Sequence, residues 1–265
     1  MKRIHAQSAF SLVELSIVLV ILGLLTGGIL GGQSLIRAAE LRSVSTEYGR
    51  YITASQTFRD KYFALPGDFR DATRVWGLQV SGSGCASTSG ITTVSTPGAC
   101  DGNGNGQLTP LAANEAGEVF QYWRQLSLAG LIEGSYTGIG GPNGTGVHSI
   151  FGTNVPRSKL SNAGWGILTR NAFFAGDANN FDSTPGTYFI FGAVYSNDMP
   201  FGAVLSPEEL WNIDTKMDDG RPATGKIIAH WRTDCTNSTG PSDSAATYKL
   251  DIRTPVCSLF IIQQL

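Results

Sequence analysis

Residues 9–30, AFSLVELSIVLVILGLLTGGIL, constrain this chain more than any other stretch. About 20 predominantly apolar residues suffice to carry a helix across the hydrocarbon of a bilayer. One carboxylate, Glu14, interrupts the run near its start. A charged side chain inside such a segment costs at least ~2.5 kcal/mol unless it finds a partner. In front lies the polar stretch MKRIHAQSA, with Lys2, Arg3 and His5. Basic charges on that side keep the amino end in the cytoplasm and send the rest of the chain outward. A secretory signal would be cut after its apolar region, at an A-x-A-like site. Residues 27–33, GGILGGQ, offer only a poor one. The segment reads as a single-pass membrane helix carrying one acid in need of a cation.

A short basic leader, a small residue, then Phe-[ST]-Leu-[IV]-Glu-Leu and an unbroken apolar run resembles the start of type IV pilins and of the pseudopilins of type II secretion. Here it reads Ala9-Phe10-Ser11-Leu12-Val13-Glu14-Leu15. The resemblance implies that a prepilin peptidase cuts between Ala9 and Phe10 and methylates the new amine on Phe10. It differs at Ala9, where the family usually carries Gly; Ala is the mildest replacement. It further implies that Glu14 neutralises the freed amine of a neighbouring subunit, since an opposite charge removes most of the penalty of burying either one. The chain would then be a subunit of a homo-oligomeric or mixed filament. It would wait in the inner membrane, N-terminus cytoplasmic, be extracted by an inner-membrane assembly platform, and end in the periplasm or in a cell-surface filament.

Glycines at 23, 27, 28, 31 and 32 weaken the apolar helix by up to ~1 kcal/mol each relative to Ala. They suit either close packing of neighbours or local melting on assembly. Pilins that melt there usually do so around a Pro, which residues 9–62 lack. Over residues 33–62, Leu41, Val44, Tyr48, Tyr51, Phe58 and Tyr62 recur at helical spacing, a stripe for docking on a globular body. Arg37, Glu40, Arg42, Glu47, Arg50, Arg59 and Asp60 are distributed around the rest. Leu65-Pro66-Gly67-Asp68 then ends the helix with turn chemistry.

Charged residues are only 15% of the chain and Gly numbers 33, the mark of a folded, loop-rich protein containing β-structure rather than a disordered one. A net charge of −2 without a long basic run gives nucleic-acid binding little support. Four cysteines outside the cytoplasm suggest disulfides, and three pairings are open. Cys85–Cys100 and Cys235–Cys257 are favoured because each brackets a local polar loop; no CxxC supports zinc.

Asp101, Asn103 and Asn105 at alternate positions before Gly106 match the opening half of an EF-hand-type calcium loop, and the carbonyl of Gln107 can join them. The twelfth position is Ala112 rather than Glu, and Glu115 or Glu118, opening the next helix, could supply the missing carboxylate. Several related pseudopilins carry a structural calcium. The competing reading is a glycine-rich turn with asparagines in left-handed conformations. A second helix is predicted over 114–132 with Asn114 as cap, and a third from the Ser206-Pro207-Glu208-Glu209 start to about Met217. Asp214, Asp218 and Asp219 read as that helix's end and the following turn more readily than as a cation site. Strands are predicted over 164–169, 188–195, 226–232, 248–252 and 258–262.

The expected fold is therefore α+β and pilin-like: a long N-terminal α-helix packed on an antiparallel β-sheet with long, disulfide-closed loops. Residues 1–9 are the leader, 10–32 the transmembrane or filament-core half of the helix, 33–62 its amphipathic half, and 63–265 the globular periplasmic part. A pseudopilin of type II secretion and a minor or tip pilin with an adhesive role are the alternatives within this class. From a different class comes a membrane-anchored periplasmic enzyme. His5, His148 and His230 stand in no HExxH, and no GxSxG occurs, so no catalytic residue is assigned.

Overall fold

The computed structural model describes residues 11–79, 98–108, 117–140, 148–170, 179–182, 184–196 and 198–263, apart from the side chain of Leu30. The chain divides into two compact units, Met1–Glu40 and Leu41–Leu265. The first helix, α1 (Leu12–Tyr62), begins in one and ends in the other.

Within the second unit, α2 (Ala72–Trp76), α3 (Glu118–Leu128), α4 (Pro207–Met217) and α5 (Arg232–Cys235) accompany four strands. These are β1 (Gly164–Arg170), β2 (Gly186–Gly192), β3 (Ile227–His230) and β4 (Ser258–Gln263). They form one antiparallel sheet in the order β1-β2-β4-β3. The fold is thus α+β, as expected from the sequence.

Register explains why both faces of the sheet are apolar. Residues directly opposite one another share a face, so Trp165, Phe191, Leu259 and Ala229 line one side. Tyr51 of α1 and Trp123 of α3 pack on that side, their rings 5.7 Å from Trp165 and 6.1 Å from Phe189 respectively. On the opposite face, Tyr188 meets Phe260, and Phe260 meets Phe201. Gly166 and Gly192 let the 199–202 segment lie against that face. A Cβ on Gly192 would fall 2.2 Å from the Pro200 carbonyl oxygen.

The docking stripe of α1 is largely as expected, with Val44, Tyr51 and Phe58 buried and Leu41, Tyr48 and Tyr62 partly so. Glu47 is the exception. It is 5% exposed; its carboxylate accepts from the Trp165 indole N–H at 2.7 Å and from the Lys159 backbone N–H at 2.9 Å. A stripe drawn by apolar residues at helical spacing does not show a polar side chain that satisfies buried donors.

Other departures are local. Residues 248–252 form no strand; Tyr248 makes a single bridge to Thr236 and turns follow. The predicted 226–232 strand stops at His230, because Trp231 takes a left-handed conformation, φ 62°, and caps α5. The second helix starts at Glu118, with Gly117 at its cap; Asn114 lies outside the described residues. α4 starts as expected from its sequence, with Ser206 as cap and Pro207 opening the helix; Ser206 and Glu209 make reciprocal capping bonds.

Candidate functional site

The first turn of α1 carries the candidate assembly residue. Ser11 precedes the helix, and its hydroxyl accepts from the Val13 N–H at 3.3 Å. Glu14 reaches back and accepts from the Ser11 N–H at 2.9 Å. These two bonds satisfy otherwise orphaned donors, the Ser11 hydroxyl holding the second N–H of the helix rather than the third, and the acid sits at the positive end of the helix dipole. The Ser-x-x-Glu spacing ahead of an apolar run was the signal for it. Ala9 and Phe10, the expected cleavage site, lie outside the described residues.

Beyond Glu14, polar side chains return to their own helix. Ser16 donates to the Val13 carbonyl at 2.9 Å, Thr26 to Leu22 at 2.8 Å, and Ser34 to Gly31 at 2.9 Å. A helix in lipid needs this internal satisfaction, since hydrocarbon supplies no partners. Its apolar side chains are uncovered: Leu12, Leu19 and Leu24 are 86%, 62% and 73% exposed. The segment is long and apolar enough to cross a membrane, with a mean hydropathy of 2.4. A Cβ added at Gly23, Gly27, Gly28, Gly31 or Gly32 would meet nothing within 4 Å. Among the described residues the glycines therefore answer to no crowding.

The expected calcium loop is built differently from its motif. Asp101 turns away from it, its two oxygens accepting from the Thr73 N–H at 2.7 Å and the Thr73 hydroxyl at 2.8 Å. The carboxylate that enters is Asp68, from the turn after α1. It accepts from the N–H groups of Gly104 at 2.5 Å, Asn105 at 3.3 Å and Gly106 at 2.7 Å. Asn103 Oδ1 accepts from the Asn105 N–H, and Asn105 Oδ1 from the Gln107 N–H. Glu118 accepts from the Asn103 N–H at 3.1 Å. Glu115 lies outside the described residues. Left-handed φ values fall on Gly104 and Gly106, not on the asparagines. Sequence spacing missed Asp68 because it is remote in the chain; the Pro-Gly-Asp turn was its only trace.

Cys235 is bonded to Cys257, with Cα atoms 5.2 Å apart. Cys100 is disulfide-bonded as well, whereas Cys85 lies outside the described residues. At the end of α4, oxygens of Asp214, Asp218 and Asp219 lie within 4.8 Å of one another. Each is engaged locally: Asp214 by the Tyr248 hydroxyl at 2.6 Å and the Gly220 N–H at 3.1 Å, Asp218 by the Ile227 N–H at 3.0 Å, and Asp219 by the Arg221 N–H at 2.8 Å. They close the turn expected there.

Two histidines are described. His148 opens a loop, its Nδ1 without a partner among the described residues. His230 is buried beside Phe201, Trp231 and Phe260, with Nδ1 3.0 Å from the Ser258 hydroxyl. Ser258 is fully buried and donates to the Phe201 carbonyl. A hydroxyl so enclosed and committed has no opening through which to meet a substrate.

No curated protein and no solved structure matches the chain. Residues 4–30 match the family model of the prokaryotic N-terminal methylation motif, the hallmark of type IV pilins and pseudopilins.

Proposed function

We propose that this chain is a structural subunit of a type IV pilus-like filament, assembled from the inner membrane through its N-terminal helix. In this reading a prepilin peptidase removes the leader after Ala9, the amine of Phe10 is methylated, and Glu14 of a neighbouring copy neutralises it in the filament core. The work is assembly rather than catalysis. The observation that carries it is an acid in the first turn of an apolar helix whose own chain leaves that helix bare. A bare apolar surface calls for lipid first and for other copies later. The bond from the Ser11 N–H holds the acid in the waiting subunit, so joining the filament exchanges an N–H partner for an ammonium. The soluble unit then travels to the periplasm or the cell surface with the growing fibre, beside other pilins where the filament is mixed.

The test is replacement of Glu14 by Gln or Val in cells that lack the parental copy. Both variants are expected at normal level in the membrane and absent from sheared or pelleted filaments. Polymerisation at parental level would overturn the reading. Long surface fibres built mainly of this chain favour a major pilin. Short periplasmic ones that depend on a secretion apparatus favour a pseudopilin.

A structural calcium belongs to the same reading, with Asp68 in place of Asp101 as the carboxylate. Asn103, Asn105 and the Gln107 carbonyl are hard oxygen donors in the same loop, the donor type calcium takes. Bound there, the ion would stiffen the loop. A chelator is then expected to lower the Tm of the purified protein by several degrees, and calcium to restore it. An unchanged Tm removes the metal.

A further inference from the structure

The geometry points to Asp68 as a guard that keeps two Asn–Gly bonds, Asn103–Gly104 and Asn105–Gly106, from deamidating, and so to this loop as a latent modification site. In an Asn–Gly pair the backbone nitrogen of Gly attacks Cγ of the Asn side chain, unhindered because Gly has no Cβ. The new N–Cγ bond closes a succinimide ring, the Cγ–Nδ2 bond breaks, and ammonia leaves with the proton that the Gly nitrogen gives up. Water then opens the ring at either carbonyl to aspartate or isoaspartate. The net change is hydrolysis of one carboxamide to an acid and ammonia, with no oxidant involved.

The attacking nitrogen must lose its proton, and the side chain must swing onto it. Both requirements are blocked twice over. The Gly104 N–H is held on Asp68 Oδ1 at 2.5 Å and the Gly106 N–H on Asp68 Oδ2 at 2.7 Å, so one carboxylate covers both nucleophiles. A negative charge beside an amide N–H opposes formation of the amide anion. The electrophilic groups are also turned away. Asn103 Oδ1 is tied to the N–H two residues on at 2.9 Å, and Asn105 Oδ1 likewise at 2.8 Å. Arg70 Nε pins the Asn103 carbonyl at 2.7 Å. Asp68 is itself 3% exposed, seated in the turn that follows α1, so the guard is part of the fold rather than of the loop. Loss of the guard has a chemical consequence. Each deamidation adds a carboxylate beside Asp68 and Asp101, which loosens the loop by like-charge repulsion and makes its ligand set more acidic.

The experiment incubates the full-length protein in detergent micelles at mildly alkaline pH and follows residues 103 and 105 by peptide mass spectrometry, with isoaspartate assayed separately. A synthetic peptide covering residues 99–109 sets the unguarded rate. A hydrogen bond to a charged group must break first, so the protein is expected to react roughly ten- to a hundredfold more slowly than the peptide. Asp68→Asn, with its helix content and Tm checked, should recover most of that factor. Thr73→Val, which removes only the hydroxyl contact to Asp101, should leave the protection intact. A parental rate equal to the peptide's overturns the proposal whatever the variants do. So does Thr73→Val releasing the reaction as fully as Asp68→Asn, since the protection would then be general loop rigidity.

Discussion

Glu14 and Glu47 are two acids on one helix, and they live in opposite surroundings. Around Glu14 the described apolar neighbours are uncovered, and among the described residues the carboxylate is held only by the N–H of Ser11 next to the first turn. Glu47 is buried, and its partners come from far along the chain, Lys159 and Trp165. The same contrast runs through the serines and threonines. Ser16, Thr26 and Ser34 bond their own helix only, whereas Ser55, also bonded to its own helix at Tyr51, lies in addition against the Tyr122 hydroxyl. One part of α1 is complete with the rest of its chain; the other is complete only in surroundings that its chain does not provide. Stability of the 41–265 unit and competence to assemble should therefore be separable by mutation.

The largest effect is expected at Phe58. Cutting it to Ala removes a fully buried ring packed on Tyr62, Phe69 and Trp76. This should lower the unfolding free energy of the 41–265 unit by about 3–5 kcal/mol. Leu19→Ala, 62% exposed on the same helix, should leave that quantity unchanged. Glu47→Ala comes next, since it strands the Trp165 and Lys159 donors at about 1–3 kcal/mol each. Glu14→Ala should change nothing by this measure. Denaturant titration of the detergent-solubilised protein, followed by tryptophan fluorescence, reads all four. Equal losses for the two acids would erase the distinction between the two parts of the helix.

A third acid gives the folded unit a pH dependence. Asp214 is fully buried, and burial, with smaller additions from Asp219 and Asp218, pushes its carboxyl up to about 7 against the hydrogen bonds of Tyr248 and Gly220. The fold thus binds a proton that the unfolded chain, at the ordinary value of 3.8, releases earlier. The stabilisation is complete below the unfolded value and is lost as pH rises through the folded one. Between them stability should fall by at most about 1.4 kcal/mol per pH unit. Tm measured from about pH 5 to pH 8 should decline in the parent and stay flatter in Asp214→Asn. A parent whose Tm rises over that range would contradict the burial of a protonated Asp214.

How much was legible in the sequence follows the range of the forces involved. Local chemistry read well: the apolar run with Glu14, the Ser206 cap, the four strands of the sheet and the Cys235–Cys257 pairing all rest on neighbours a few to some twenty residues apart. Choices made by distant partners did not. The docking stripe omits Glu47 because its partner Trp165 is remote. Asp68, whose carboxylate accepts the loop's backbone N–H groups, was missed because it lies far upstream. Residues 248–252 have strand composition, yet Tyr248 is spent on Asp214 instead of on a ladder. Even the Ser11–Glu14 contact, wholly local, was masked by the stronger hydropathy signal around it.

The smallest effect on stability is expected from the glycines of the apolar segment, and it is the most telling for that reason. Gly67 and Gly192 show what a glycine required by its own fold looks like: an added Cβ would lie 2.3 Å and 2.2 Å from backbone oxygens. Gly27 and Gly28 meet no such obstacle. Replacing either with Ala removes a helix penalty of up to ~1 kcal/mol and creates no clash within the chain. Gly27→Ala and Gly28→Ala should therefore leave the denaturation of the 41–265 unit unchanged, and the isolated subunit no less helical by circular dichroism. If those positions exist for close approach by neighbouring helices or for melting on assembly, the same variants should yield less pelletable filament. Two variants that assemble as well as the parent would leave Glu14 as the one feature of this segment tied to assembly.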